Sequence, residues 1–179
     1  MEPTAKRSVI PPDDPNRELA IARPETDETL PHVCVVGDTY TILVSGKQTN
    51  QRYSLIDMLV ADEGGPPPHR HDFEELFVLL DGEIEFTFRG DKHVVHAGES
   101  INIPANAPHN FKNVSGRTAR MLCMCTPAGQ EEFFLLIGDR VPTRTSPPPE
   151  VSAAEQERRK RLLFELAPKY RTELLIPNG

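Results

Sequence analysis

The chain has 179 residues, 37% of them apolar, and carries a formal net charge of −7. This length favours one domain with terminal extensions, and the acidic balance argues against a nucleic-acid-binding protein. No apolar run reaches the length of a transmembrane helix, and residues 1–7 lack the apolar stretch of a signal peptide. The three cysteines have no disulfide-framework spacing, so we expect a cytoplasmic protein that does not associate with a membrane.

Residues 1–30 are rich in proline and charge. They predict an N-terminal arm that is disordered alone or ordered against a partner subunit. From residue 33 the sequence becomes β-type, and strands are predicted over these segments: 33–45, 53–61, 75–80, 83–89, 92–96, 100–103, 107–113 and 118–126. Asp81-Gly82, between two of these segments, is a strong hairpin signal. Short strands with frequent turns are typical of a β-sandwich or β-barrel.

A different pattern follows the predicted strands. Residues 130–137 predict a short helix, and residues 142–149 form a proline-rich link. A second helix is predicted over 152–166, with Ser152 as its N-cap and Glu155 three residues later. The chain is therefore divided into an arm (1–30), a β-barrel (31–128) and a C-terminal helical extension (129–179).

Three histidines and one glutamate offer the ligand types that hold a redox-capable divalent metal: His69, His71, Glu75 and His109. His69 and His71 are two residues apart, so on a strand their side chains share one face. Glu75 keeps that parity if the strand continues, and His109 must come from a second strand folded back on the first. The spacing thus indicates a single metal site in an all-β barrel.

Other candidate ligands are interpreted as structural. Cys123 and Cys125 lie in an apolar strand pattern, and we interpret them as buried thiols. His93 and His96 have a spacing that sends them to opposite strand faces, which indicates surface histidines.

The ligand positions resemble the two motifs of the cupin superfamily. The first motif is a glycine, then H-x-H, a glutamate and a glycine; the second is G-x5-P-x-G-x2-H-x3-N. The matching residues here are Gly64, His69, His71, Glu75 and Gly82, followed by Gly98, Pro104, Asn106, His109 and Asn113. The chain departs from the motifs at two positions, because Glu63 stands where the first glycine usually falls and Asn106 replaces an inner glycine. Asparagine tolerates left-handed backbone, so we expect that turn to survive.

The resemblance implies an all-β cupin fold: a double-stranded β-helix, or jelly-roll barrel, with an N-terminal arm and a short C-terminal helical extension. It also implies that His69, His71, Glu75 and His109 bind one divalent transition metal, and these ligand types admit Fe, Mn, Ni, Co, Cu or Zn. Some cupins keep the fold without a metal and bind small molecules, so a non-catalytic binding protein is an open alternative.

A finer resemblance is to the bacterial single-barrel cupins of the quercetin 2,3-dioxygenase-like group, and it involves residues 33–46, 64–69 and 130–134. In that group the metal binds a deprotonated hydroxyl beside a carbonyl, and dioxygen is inserted into the activated ring. Carried over, Glu75 would be both a metal ligand and the catalytic base. An apolar cavity would help raise the pKa of its carboxyl group.

Strand alternation predicts what else faces the metal. Phe77 shares the face of Glu75, and Phe111 shares the face of His109, so both are predicted to line a substrate pocket. The alternative for both is that they fill the barrel core, which is the role we expect for Ile84, Phe86 and Phe88. No lysine or arginine cluster lies on these inward faces, which argues against a sugar phosphate or a dicarboxylate as substrate.

The sequence therefore favours a metal-dependent dioxygenase that acts on a hydroxy-carbonyl aromatic small molecule. The alternatives are another cupin metalloenzyme, such as an isomerase or decarboxylase, and a small-molecule-binding cupin without turnover. We expect a homodimer, because β-rich edges and the N-terminal arm offer surfaces for a partner subunit.

Overall fold

The computed structural model describes residues 10–176. The first nine residues of the predicted arm and the last three of the predicted extension lie outside this range. The described strands are β1 (His32–Val35), β2 (Asp38–Val44), β3 (Ser54–Val60), β4 (His69–His71), β5 (Glu74–Asp81), β6 (Glu83–Phe88), β7 (Asp91–His96), β8 (Ser100–Ile103), β9 (His109–Asn113), β10 (Ala119–Thr126), β11 (Asp139–Arg140) and β12 (Thr172–Leu174). The helices are α1 (Gly46–Thr49), α2 (Gln130–Ile137), α3 (Ala153–Leu166) and a 3₁₀ helix (Ala167–Tyr170).

The strands form two antiparallel sheets, in agreement with the predicted jelly-roll fold. The large sheet has seven strands in the order β11-β1-β2-β3-β10-β5-β8, and the small sheet has five in the order β12-β4-β9-β6-β7. Alternate residues of each strand point between the sheets, as the period of two dictates. On β10 these inward residues are Met121, Cys123 and Cys125, all fully buried, so the two cysteines are buried thiols as predicted.

An aromatic cluster joins the two sheets at the centre of the barrel. Phe77 from the large sheet lies 5.2 Å from Phe86 and 5.6 Å from Phe111, both from the small sheet, between ring centroids. Phe86 and Phe111 are themselves 5.6 Å apart. Such tilted and edge-on pairs add stability beyond the burial of apolar area, so this cluster fixes how the sheets face each other.

The predicted hairpin at Asp81-Gly82 is wrong. β5 pairs with β10 and β8 in the large sheet, whereas β6 pairs with β7 and β9 in the small sheet. Gly82 has a φ of +89°, and a Cβ at this position would lie 2.7 Å from the Cβ of Ala119. A glycine is therefore needed because the chain turns sharply between sheets and passes close to β10.

One true hairpin was missed by the sequence, and a second joins two strands that the sequence predicted. The segment 33–45 is not one strand, because β1 and β2 pair across a turn at Val36 (φ 52°) and Gly37 (φ 93°). β6 and β7 pair across Arg89 (φ 52°) and Gly90 (φ 96°). Positive φ at both central residues is typical of a type I′ turn, whose twist matches that of the flanking strands.

The C-terminal extension contains the two predicted helices, and Ser152 caps α3 by accepting a hydrogen bond from Glu155 N at 3.2 Å. It also contributes two strands that the sequence analysis missed. β11 pairs with β1, and β12 pairs with β4, so the extension closes an edge of each sheet. Within residues 10–176, no helix is long and apolar enough to cross a membrane.

Candidate metal centre

The four predicted ligands meet at one end of the barrel, between the two sheets. His69 and His71 lie on β4 and His109 lies on β9 of the small sheet, while Glu75 lies on β5 of the large sheet. All four are buried, and their potential ligand atoms lie within 4.8 Å of one another. The structure therefore brings together every residue of the predicted set.

Glu75 reaches the site from the other sheet, which strand alternation alone did not predict. The shared strand parity required a strand that continues from His71 to Glu75, but β4 ends at His71 and β5 begins at Glu74 in the other sheet. The chain crosses between the sheets at residues 72–73, and Glu75 consequently faces the histidines from the opposite wall. His69 and His109 are direct neighbours in the small sheet.

Backbone carbonyls orient all three imidazole rings in the same way. The Nδ1 atoms of His69, His71 and His109 contact the carbonyl oxygens of Pro67, Phe73 and Ala107 at 2.9, 3.0 and 2.9 Å. A carbonyl only accepts hydrogen bonds, so each Nδ1 carries the proton and donates. This arrangement directs every Nε2 towards the centre of the cluster, which is the way in which proteins prepare histidines as metal ligands.

The charges at the centre favour a bound cation. Glu75 Oε2 lies 3.0 Å from His71 Nε2 and 3.3 Å from His109 Nε2. Burial raises the pKa of the Glu75 carboxyl, but the contacts with His109 and His71 outweigh it and hold the pKa well below its usual value. Burial and the neighbouring His109 lower the pKa of His69 to about 4, so this ring is neutral at pH 7 and offers a lone pair. Burial thus raises the pKa of Glu75 as expected of an apolar cavity, but the two histidines reverse the net direction.

A buried, unpaired nitrogen supports this interpretation. His109 Nε2 is inaccessible to solvent, and within residues 10–176 it forms no hydrogen bond of acceptable geometry, since its 3.3 Å contact with Glu75 Oε2 is poorly aligned. Buried polar atoms are almost always paired, so this one indicates a missing ligand. A divalent cation between the three Nε2 atoms and Glu75 would satisfy the orphaned nitrogen and the carboxylate together. The residues thus fit a metal site of three nitrogens and one oxygen.

The two buried thiols contact Oε1 of Glu75, the oxygen that is not the one nearest to His71 and His109. Cys123 Sγ lies 3.3 Å from Glu75 Oε1, and Cys125 Sγ lies 3.6 Å from Cys123 Sγ. The hydrogen bond with Cys125, burial and the nearby Glu75 raise the pKa of the Cys123 thiol, which keeps it protonated and able to donate. The sequence analysis identified these cysteines as buried but missed their contact with Glu75, since alternation alone does not show which strands are adjacent.

Both departures from the cupin motifs occupy left-handed backbone. Glu63 has a φ of 62° and Asn106 a φ of 67°. The turn expected at Asn106 is preserved, and its backbone N–H donates to His71 O at 2.7 Å. The Asn106 loop is thereby tied to the strand that carries two of the ligands.

The metal centre borders an inner cavity of about 70 Å³, and an outer chamber of about 750 Å³ under α3 shares part of its lining, including Gly65 and Leu163. His69, Glu75 and Phe111 line the inner cavity, and Phe77 lies behind them in the aromatic cluster. The outer chamber falls within the size range of small-molecule sites, and the inner cavity is smaller than that range. The substrate roles of Phe77 and Phe111 stay predictions.

A two-sheet barrel with three inward histidines and one glutamate near its open end defines a cupin. The family described as "Cupin domain" matches residues 57–125 of this chain. An RmlC-like cupin from Shewanella frigidimarina NCIMB 400 superposes with a TM-score of 0.52 at 16% identity, over 59% of this chain and 90% of that one. The chain therefore has the cupin fold, and its residues 57–125 match the cupin domain family.

Two curated relatives show where within the superfamily the chain lies. It is 27% identical over 109 residues to a quercetin 2,3-dioxygenase of Bacillus subtilis (strain 168), covering 60% of this chain and 32% of that protein. It is 36% identical over 58 residues to the HTH-type transcriptional regulator PuuR of Escherichia coli (strain K12), covering 32% of this chain and 31% of the regulator. The matches span about a third of each relative, and the first relates the chain to the quercetin dioxygenase group.

Proposed function

We propose that this protein is a metal-dependent dioxygenase that acts on a hydroxy-carbonyl aromatic, flavonol-like small molecule. The observation that carries the proposal is the N₃O cluster, in which three histidines anchored through Nδ1 direct their Nε2 atoms towards Glu75. The relation to a quercetin 2,3-dioxygenase supports the reaction, and the 750 Å³ outer chamber supports an aromatic substrate.

His69, His71, Glu75 and His109 would hold the metal, which supplies Lewis-acid and redox chemistry when bound. The protein's own contribution centres on Glu75. Its carboxylate is buried among the histidines, with Oε2 beside His71 and His109, so it would face a substrate hydroxyl held at the metal and would accept the proton of that hydroxyl. The Cys123 thiol engages Oε1 and leaves Oε2 directed towards the histidines.

Elemental analysis of protein purified without added metal or chelator tests the site. We expect about one equivalent of Fe, Mn, Ni, Co, Cu or Zn, lost in His69→Ala and retained in His93→Ala, because His93 is an exposed histidine on β7. Metal that is absent from the wild type even after reloading would contradict the site. Oxygen uptake with hydroxy-carbonyl aromatics then tests the reaction, and none across the series would contradict the dioxygenase.

The match to a transcriptional regulator favours a second candidate, a ligand-binding cupin without turnover. In this case the metal would hold a small molecule that is released unchanged. Anaerobic and aerobic titrations separate the two functions, because only an enzyme consumes dioxygen and alters the ligand. Isomerase or decarboxylase chemistry would alter the ligand without consuming dioxygen.

We also propose that the protein is a cytoplasmic homodimer. Three free, buried cysteines suit a reducing compartment. Ile10, Leu19 and Ile21 of the arm are more than half exposed, and a partner subunit would cover them. Light scattering of the purified protein should give twice the chain mass, whereas the mass of a single chain would contradict the dimer.

A further inference from the structure

Besides Thr172, whose hydroxyl donates to Tyr170 O, three polar side chains that are not metal ligands line the inner cavity. Asp38 and Tyr40 lie on β2, and Gln130 is the first residue of α2. They are only 1%, 4% and 6% exposed, so each has been removed from bulk water. Buried polar groups normally have hydrogen-bond partners, and each of these needs an explanation that the metal centre does not give.

The Asp38 carboxylate is only partly engaged by the protein. Oδ1 accepts a hydrogen bond from Ala61 N at 2.9 Å, and Gly64 packs so closely that a Cβ there would lie 2.3 Å from Oδ1. Within residues 10–176, this is the one hydrogen bond that reaches the Asp38 side chain. Burial raises its pKa to about 7 despite that bond. Oδ2 therefore remains available to a ligand in the cavity.

Gln130 and Tyr40 complete the group. Gln130 Oε1 is buried and has no hydrogen-bond partner among the described residues. The Tyr40 ring is held edge-on against Phe134, with centroids 4.8 Å apart. Burial and the neighbouring Asp38 raise the pKa of Tyr40 well above its usual value, so its hydroxyl keeps its proton and can donate.

We propose that Asp38, Tyr40 and Gln130 form a second polar subsite, which binds a neutral hydroxyl group of an aromatic ligand. A hydroxyl both donates and accepts, so it can donate to Asp38 or Gln130 while it accepts from Tyr40. An anionic group does not fit, because Asp38 and Glu75 are acidic and no lysine or arginine of residues 10–176 lines this cavity. The aromatic nature of the ligand rests on the proposed function, whereas the preference for a hydroxyl rests on these three residues.

Phenol and toluene are suitable probes, because they differ only in a hydroxyl replaced by a methyl group. Their dissociation constants can be measured by ligand-observed NMR with the purified protein and again after chelation of metal. We expect wild-type protein to bind phenol at least as tightly as toluene, although toluene is the more apolar of the two. A site built to pair with a hydroxyl rejects the analogue that lacks it.

Two conservative variants test the assignment. In Asp38→Asn the side-chain oxygen can keep the bond from Ala61, but an amide donor replaces Oδ2 at the cavity. Tyr40→Phe removes one hydroxyl and keeps the contact with Phe134. We expect the phenol-to-toluene preference to fall at least tenfold in Asp38→Asn and several-fold in Tyr40→Phe. The matched controls Asp62→Asn and Tyr53→Phe, both at exposed positions, should leave it unchanged.

A wild-type preference for toluene, or a ratio unaltered in both variants, would overturn the subsite. Neither result depends on turnover, so failure of the subsite is distinguishable from failure of the dioxygenase. A protein that consumes no dioxygen but prefers phenol through Asp38 would retain the subsite and lose the proposed reaction.

Discussion

Replacement of Glu75 by glutamine is expected to reduce kcat for oxygen uptake by about 10²–10⁴-fold, which is the usual contribution of a positioned general base. Glutamine preserves the shape of the side chain but cannot accept a proton at neutral pH. The carboxylate is buried and lies 3.0 Å from His71 Nε2, so no bulk water can take over its role. Initial rates at saturating metal and substrate, under air, provide the measurement.

The ligand and base roles of Glu75 can be separated in the same variant. Metal content and anaerobic substrate affinity report on the ligand role, while kcat reports on the base. If Glu75→Gln keeps its metal and binds substrate but fails to turn over, the base role is supported. Glu83→Gln, at an exposed carboxylate on β6, should behave as wild type. Loss of only half the activity in fully loaded Glu75→Gln would contradict the proton-accepting role.

The sequence predicted the ligands more accurately than it predicted their geometry. Motif spacing identified His69, His71, Glu75 and His109, and the structure brings all four together. The condition for the strand-parity argument is not met at Glu75, because this residue faces the histidines from the large sheet. The motif gives the spacing of the ligands along the chain but does not state that the chain crosses between sheets after His71. Its spacing can therefore identify the ligands correctly even where strand alternation does not describe their positions.

Strand positions were predictable because alternation and turn residues are local signals, but pairing partners were not. Asp81-Gly82 has the composition of a hairpin, yet Gly82 is there because β10 passes close to it. A two-residue signal cannot distinguish a turn within a sheet from a crossing between sheets. β12 is a three-residue strand whose pairing with β4 brings together residues about a hundred positions apart, and no periodicity marks such a segment.

Asp38 illustrates a signal that was present but not used. It precedes Tyr40 by two residues on β2, and both side chains line the inner cavity. An acidic residue on an inward strand face is costly to bury, so its presence indicates either a paired charge or a ligand contact. Gln130 gave no such signal, because the first residue of a helix is usually exposed and only the packing of α2 on the barrel buries it.

The largest stability effect is expected at Asp57, on the outer face of the large sheet. Its side chain is fully buried although it points away from the barrel, because Arg120 of β10 and Arg144 of the segment after β11 contact it. Arg120 Nη2 donates to Asp57 Oδ2 at 2.9 Å, and Arg144 Nη2 lies 3.1 Å from the same oxygen. Arg144 also pairs with Glu25 of the arm, so one carboxylate links the sheet to both chain extensions.

Asp57→Asn should lower the free energy of unfolding by about 3–5 kcal/mol, the usual cost of breaking a buried ion pair by removing one partner. The Arg144 side chain is only 6% exposed and would keep its charge with Glu25 alone, a residue that is itself 65% exposed. The matched control is Asp81→Asn, which removes a carboxylate from an equally well-formed pair with Arg117. Both partners of that pair are more than half exposed, and exposed pairs contribute little to stability.

Chemical denaturation of both variants tests this difference, and hydrogen exchange adds a local readout. In Asp57→Asn we expect faster exchange at the arm amides that are bonded in the wild type, such as Thr26 N to Arg23 O. Equal destabilisation by the two substitutions would mean that burial does not strengthen the Asp57 network. A larger loss of stability in Asp57→Asn than in Asp81→Asn, without faster exchange in the arm, would mean that Asp57 stabilises the sheet but does not hold the arm. Only the combination of both effects supports the conclusion that one buried carboxylate docks the arm on the barrel.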